Sequence, residues 1–225
     1  MNKIEVEKKV LSANDRTAEL LRRAFSEYGV LCLNLISSPG AGKTTLLERT
    51  LASVAGNTRL AVLTGDVQTD ADARRLAQYG FPVKQITTGG GCHLTAGLVE
   101  HALQGWSLAD LDILFIENVG NLICPAAYDL GESAKIVLLS VTEGDEKPLK
   151  YPAIFSRAAL MVLTKVDLLA YVPFQAGRAI ANARSVNPRL ETIELSCMSD
   201  HGLADWERWL AARHPRLQFA EPLLV

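Results

Sequence analysis

The stretch Ser37-Ser38-Pro39-Gly40-Ala41-Gly42-Lys43-Thr44-Thr45 constrains this chain more than any other. An apolar run, Leu31-Cys32-Leu33-Asn34-Leu35-Ile36, precedes it and reads as a buried strand. Leu46 to Ala52 follows with a helical pattern. Strand, glycine-rich turn and helix in that order are the setting of a phosphate-binding loop. Backbone N–H groups of Gly40, Ala41, Gly42, Lys43, Thr44 and Thr45, with the positive end of the helix, form a concavity that favours anions. Lys43 is expected to reach the β- and γ-phosphates, and Thr44 to place its hydroxyl on Mg²⁺. The full pattern opens with glycine; here that position is Ser37. The competing reading is a chance Gly-Lys-Thr at a helix start.

The rest of the chain repeats the strand-then-helix order. A helix is expected from Asn14 to about Tyr28, with Ala18, Leu21, Ala24 and Phe25 on one stripe and Gly29 closing it. Further strands are expected at Arg59–Leu63, Val83–Ile86, Asp112–Ile116, Lys135–Val141, Leu160–Leu163 and Leu190–Leu195. Helices are expected at Asp70–Tyr79, Leu94–Leu103, Pro173–Val186 and Leu203–Ala212, and Thr142–Pro152 reads as a charged loop. Such alternation argues an α/β, three-layer architecture: a mostly parallel β-sheet with helices on both faces. Residues 1–12 read as a partly ordered arm, with helix as one option, 13–215 as one domain of the P-loop NTPase type, and 216–225 as a tail. Folds of this kind bind ligands at the carboxyl ends of their strands. Every candidate motif lies just after an expected strand.

Composition narrows the class. At 225 residues, 48% apolar and 21% charged, the chain can bury a sizeable core. A net charge of −2 gives no electrostatic reason to expect nucleic acid. No 18-residue apolar run is present, so no membrane span is expected. Met1 to Val10 lacks the apolar core of a signal peptide, and the expected location is cytoplasmic. The four cysteines are then thiols rather than a disulfide framework.

Two features refine the nucleotide site. In Thr164-Lys165-Val166-Asp167, the Asp167 carboxylate can accept from guanine N1–H and its 2-amino group, while adenine offers an unprotonated N1. The Lys165 stem can cover one face of the base. The usual guanine motif opens with Asn, and Thr164 departs from it. Ser196 and Cys197 follow the last strand, where backbone groups can close a base pocket; otherwise Lys165 to Asp167 is a solvated turn. Asp66 and Glu117 each end a strand, placed to hold Mg²⁺ directly or through water. The plainer role for Asp66 is a helix cap. Gly120, three residues after Glu117, can offer its N–H to the γ-phosphate and lose that contact on hydrolysis.

Cys92 and His93 follow three glycines, and Cys124 lies seven residues after Glu117. Thiolates and imidazole suit Ni²⁺, Zn²⁺ or copper rather than Mg²⁺. Three ligands are one short of a tetrahedral structural site, so two chains sharing a metal across a two-fold axis is one arrangement. On spacing alone, two unrelated cysteines and an incidental histidine stay open as an alternative. Cys32, inside the first strand, reads as a small core residue.

The segments Ser37–Glu48, Gly65–Asp70, Gly91–Leu94, Glu117–Pro125 and Glu143–Pro152 resemble HypB, the family of nickel-incorporation GTPases of hydrogenase maturation. The resemblance covers about residues 10 to 215. It implies a P-loop GTPase using GTP and Mg²⁺, a nucleotide-dependent homodimer, and a Ni²⁺ or Zn²⁺ site at the dimer interface that matches Cys92, His93 and Cys124. It further implies a HypA-type partner and a hydrogenase large subunit as client. Residues 1–31 contain neither Cys nor His, so an N-terminal nickel-storage motif is not expected. Lys147–Lys150 is expected to reach the nucleotide or the opposite chain. The related urease accessory GTPases carry Cys-Pro-His, whereas Ala126 follows Cys124-Pro125 here. A metal-binding protein with a vestigial nucleotide site, or a small-molecule kinase, are the other readings.

Overall fold

The structure is a computed structural model that describes residues 3–66 and 70–220, with side chains from residue 9 onward. Val67, Gln68 and Thr69 of the Gly65–Asp70 segment, and the last five residues of the expected tail, lie outside the described residues.

Helix α1 (Lys3–Tyr28) leads into β1 (Leu31–Ser37), then α2 (Lys43–Ser53), β2 (Val54–Ala55) and β3 (Leu60–Asp66). Next come α3 (Ala71–Ala77), β4 (Val83–Thr87), α4 (Ala96–Leu103), β5 (Ile113–Glu117), α5 (Cys124–Ala127) and β6 (Ala134–Ser140). The chain continues through α6 (Lys147–Lys150), α7 (Pro152–Arg157), β7 (Leu160–Thr164), α8 (Ala176–Val186), β8 (Glu191–Leu195), α9 (Leu203–Ala211) and β9 (Gln218–Phe219).

Seven strands form one sheet in the order β4-β3-β5-β1-β6-β7-β8, and every pairing in it is parallel. Alternating residues of β1 explain the three layers. Leu33 and Leu35 face one side, where α2, α3 and α9 supply Leu46, Leu47, Leu76 and Trp206. Cys32 faces the other side, packed with Phe25 of α1 and Val99 of α4, and Ile36 on that side joins Phe155 of α7 and Ala179 of α8. Cys32 is the fully buried core residue its position suggested, with its thiol pushed well up by burial.

Several local expectations are corrected. The first helix starts at Lys3, earlier than the stretch read after Asn14-Asp15, and the arm, for which helix was one option, is helical from that residue. Thr142–Pro152 is not loop throughout, because Pro148 and Pro152 sit in the first turns of α6 and α7, where a missing N–H costs nothing. The expected tail begins ordered: β9 pairs antiparallel with β2, Val54 opposite Phe219. Among the described residues no helix is long and apolar enough to cross a membrane.

Because the strands run parallel, their carboxyl ends lie along one edge. The segments after β1, β3, β5 and β7 meet there, with β1 in the middle and β5 and β6 on its flanks.

Candidate functional site

A cavity at this edge holds about 480 Å³. It is lined by Gly40, Gly42, Lys43, Thr44 and Thr45, by Gly65 and Asp66 at the end of β3, by the Glu117–Gly120 segment after β5, and by Lys165 after β7. Gly40 and Gly42 hold left-handed φ values of 74° and 99°, which turn successive amides toward one point. Ala41 is buried; its carbonyl accepts from the Thr164 hydroxyl at 2.7 Å. Lys165, at φ 61°, folds back so that Nζ donates to the Gly40 carbonyl at 2.8 Å. The segment after β7 is therefore tied to the phosphate loop at two points.

Lys43 is buried, and burial pulls its ammonium pKa down against the raising field of Glu117. Its Nζ donates to Ser37 Oγ at 3.0 Å, and Ser37 donates onward to the Ser38 carbonyl. A glycine at position 37 could not supply that acceptor, which gives the departure from the usual pattern a physical role.

Thr44 donates to Glu117 Oε1 at 2.7 Å. The other oxygen, Glu117 Oε2, is buried and has no hydrogen-bond partner among the described residues. With Asp66 on the same wall, this is an all-oxygen donor set with one unsatisfied oxygen, and it fits a hard cation such as Mg²⁺. Burial pushes Glu117 up to about 7, further than Lys43 and Thr44 pull it down.

That shift has a sign. The folded carboxyl titrates above its ordinary 4.5, so the folded state holds a proton that the unfolded chain releases. The associated stability is present below about 4.5 and is lost as pH rises through about 7. Ligation by Mg²⁺ requires the carboxylate. Binding of Mg²⁺-nucleotide at pH 7 is therefore expected to release about half a proton from Glu117, more at pH 6 and almost none above pH 8. Calorimetry in buffers of different ionisation enthalpy reads this directly, and Glu117→Gln should abolish it.

Gly120 closes the cavity against the phosphate loop. A Cβ there would lie 3.0 Å from Pro39 Cα, so any larger residue would press the loop backbone away by a few tenths of an ångström, and glycine allows the approach without that shift. From Gly120 the chain continues through Asn121, whose side chain donates to the Cys92 carbonyl and accepts from Ile123 N–H. It then reaches Cys124 at the start of α5.

Here the two cysteines meet. Cys92 Sγ lies 2.9 Å from Cys124 Sγ, with both thiols free, and 3.6 Å from His93 Nδ1. All three ligand atoms fall within 4.8 Å of one another. The neighbouring Cys124 raises the Cys92 thiol, while partial burial lowers His93 from its ordinary value. The His93 ring stacks on Tyr128 at 3.8 Å, which restricts its rotation. Soft, closely grouped, partly exposed donors of this kind suit a borderline transition metal.

Residues 31–194 match a family described as CobW/HypB/UreG, nucleotide-binding domain. The chain is 50% identical over 207 residues to the hydrogenase maturation factor HypB of Rhizobium leguminosarum bv. viciae, covering 92% of this chain and 69% of that protein. This chain belongs to the HypB family. Its counterpart in Escherichia coli (strain K12), also a hydrogenase maturation factor HypB, is 51% identical over 207 residues, covering 92% of this chain and 71% of that one. A crystal structure of HypB from Helicobacter pylori in complex with nickel matches with a TM-score of 0.84 at 38% identity, covering 89% of this chain and 94% of that one.

Not every expected residue of this HypB-family chain lines the phosphate cavity. Ala41, Asp167, Ser196 and Cys197 are not in its wall. Asp167 Oδ1 accepts from Ser196 Oγ at 2.5 Å, and Ser196 Oγ accepts in turn from the Met198 and Ser199 amides. Cys197 packs on the core with its thiol pushed up to about 11 by burial. Lys147 reaches the phosphate loop itself, donating to Ser38 Oγ at 3.1 Å. Asp72 and Arg75 of α3 also line the cavity, Arg75 held by Glu48 at 2.6 Å. No motif marks these two; their three-residue spacing on one helix face is the only sequence signal.

Proposed function

We propose that this chain is a GTP-hydrolysing metallochaperone that binds nickel or zinc at a homodimer interface and assists nickel insertion into a nickel–iron hydrogenase. One observation carries the reading. A single segment has the cavity carboxylate Glu117 at one end and the metal-type ligand Cys124 at the other, seven residues apart. A nucleotide that moves Gly120 also moves the chain that presents Cys124. The names of the Rhizobium and Escherichia relatives, and the nickel complex of the Helicobacter one, support the nickel and hydrogenase parts.

In the proposed reaction, water attacks the γ-phosphorus as the bond to the bridging oxygen breaks. Lys43 and the loop amides of Gly40 to Thr45 take up charge developing on the phosphate oxygens. Thr44, Asp66 and Glu117 would hold Mg²⁺, which would supply a Lewis acid for the same charge. Asp167, steadied by Ser196, reads guanine, with Lys165 and the backbone at Ser196 and Cys197 around the base. GTP favours the dimer and a formed Cys92, His93 and Cys124 site; GDP loosens both. Transfer then involves a HypA-type partner and the hydrogenase large subunit, in the cytoplasm.

The test is one titration series. Ni²⁺ and Zn²⁺ affinity and oligomeric mass are measured with GDP and with a non-hydrolysable GTP analogue, with ATP as competitor. The expected result is tighter metal binding and a dimer with the GTP analogue, on the order of tenfold in affinity, and no displacement by ATP. Equal affinity and mass in both nucleotide states would sink the switch.

A further inference from the structure

Asn118, in the cavity wall where it meets the Cys92–Leu94 segment, is almost fully buried. Its backbone N–H donates to the Leu35 carbonyl at 3.0 Å, pinning it to β1. Its Nδ2 donates to Asn34 Oδ1 at 3.2 Å, and Asn34 donates to Glu132 Oε1 at 3.0 Å. Glu132 can only accept, and Lys135 neutralises it at 2.6 Å. The orientation of both amides is thereby fixed: Nδ2 of Asn118 faces the strand, and Oδ1 faces away from it.

That outward oxygen is shared. It accepts from Val119 N–H at 3.0 Å and from Leu94 N–H at 3.3 Å. Val119 belongs to the cavity wall and adjoins Gly120. Leu94 adjoins His93 and is fully buried, so close to Gly65 at the end of β3 that a Cβ on that glycine would overlap it at 2.9 Å. One carbonyl oxygen therefore holds a backbone amide from the nucleotide side and a backbone amide from the metal side. Its own frame is anchored to the central strand. A shift of Val119 changes what remains of that oxygen for Leu94.

We infer that Asn118 is a positioning residue that transmits nucleotide state to the Cys92–His93 arm through the Leu94 amide. This route leaves the 117–124 segment at Asn118 and meets the Cys92–His93 arm at Leu94, whereas the Asn121 side chain meets the same arm at the Cys92 carbonyl and the covalent path runs on to Cys124. It rests on the nucleotide–metal coupling proposed above. With it, both arms of the metal site are addressed by the same two-state segment.

Two measurements on the full chain test it. The first is the ratio of Ni²⁺ affinities with GTP analogue and with GDP, in the native protein and in Asn118→Ala. The second is hydrogen exchange of the Leu94 amide in the native protein with each nucleotide, which requires no variant to fold. Networks of this type alter coupling by about two- to thirtyfold. The expected result is an affinity ratio that falls at least about threefold toward one in Asn118→Ala, with Leu94 exchange that differs between the two nucleotides. An affinity ratio of one in the native protein would defeat the switch itself. A native ratio above one that survives in Asn118→Ala overturns the inference and leaves the switch standing, even if both affinities fall together. Leu94 exchange that ignores the nucleotide also overturns it, and decides alone if Asn118→Ala does not fold.

Discussion

Lys43→Ala is expected to slow GTP hydrolysis by about 10²- to 10³-fold, the usual cost of removing one preorganised charge from a developing oxyanion. Lys43 is buried at the mouth of α2, where water cannot replace it cheaply. Arg75, held by Glu48, and Lys165, held by the Gly40 carbonyl, are already engaged. Neither is placed to stand in without giving up its partner. Single-turnover hydrolysis measures the chemical step, and a fluorescent GDP analogue shows whether binding survives. Turnover that matches the native rate would mean that the cavity does not carry the chemistry, and would revive a vestigial nucleotide site.

The second large effect concerns the thiols. Cys92→Ala and Cys124→Ala are each expected to weaken Ni²⁺ and Zn²⁺ binding by more than the roughly 10- to 100-fold lost when only a supporting residue is changed. Each removes one of three donor atoms that lie within 4.8 Å of each other. GDP affinity should stay within about twofold, since neither thiol lines the phosphate cavity. A spectroscopic metal titration beside a GDP titration reads both. Native-like metal binding in either variant would remove that thiol from the ligand set. Loss of GDP binding in either would show that the two sites are not separable.

The sheet was legible because parallel α/β folds bury strands on both faces, and such strands read as continuous apolar runs. Leu160 to Leu163 and Ile113 to Ile116 are of that kind. The β2–β9 ribbon was not legible. Two-residue strands joined across most of the chain leave no periodicity to find. Helices α5, α6 and α7 are four to six residues long, below the window in which a helical repeat can be counted. Lys3 to Leu11 lacks the apolar stripe that marks the stretch after Asp15, so helix stood there only as one option beside partial order.

The site divides along the same line. Motifs local in sequence, such as Gly40 to Thr45, were readable because their chemistry depends on adjacent residues. The meeting of Cys92 with Cys124, 32 residues apart, depends on strand order and was carried by resemblance rather than spacing. Thr164 and Ser37 looked like departures from a pattern until their partners were known. Thr164 grips the Ala41 carbonyl, and Ser37 receives Lys43. No one-dimensional reading contains either contact.

The Lys43–Ser37 hydrogen bond also bears on affinity. Ser37 Oγ is a partner for the ammonium that belongs to the protein itself, so a phosphate oxygen that draws the ammonium away from it must exceed that bond. To that extent the strand-end hydroxyl and an anion compete for one charge, and the serine sets how tightly the loop grips.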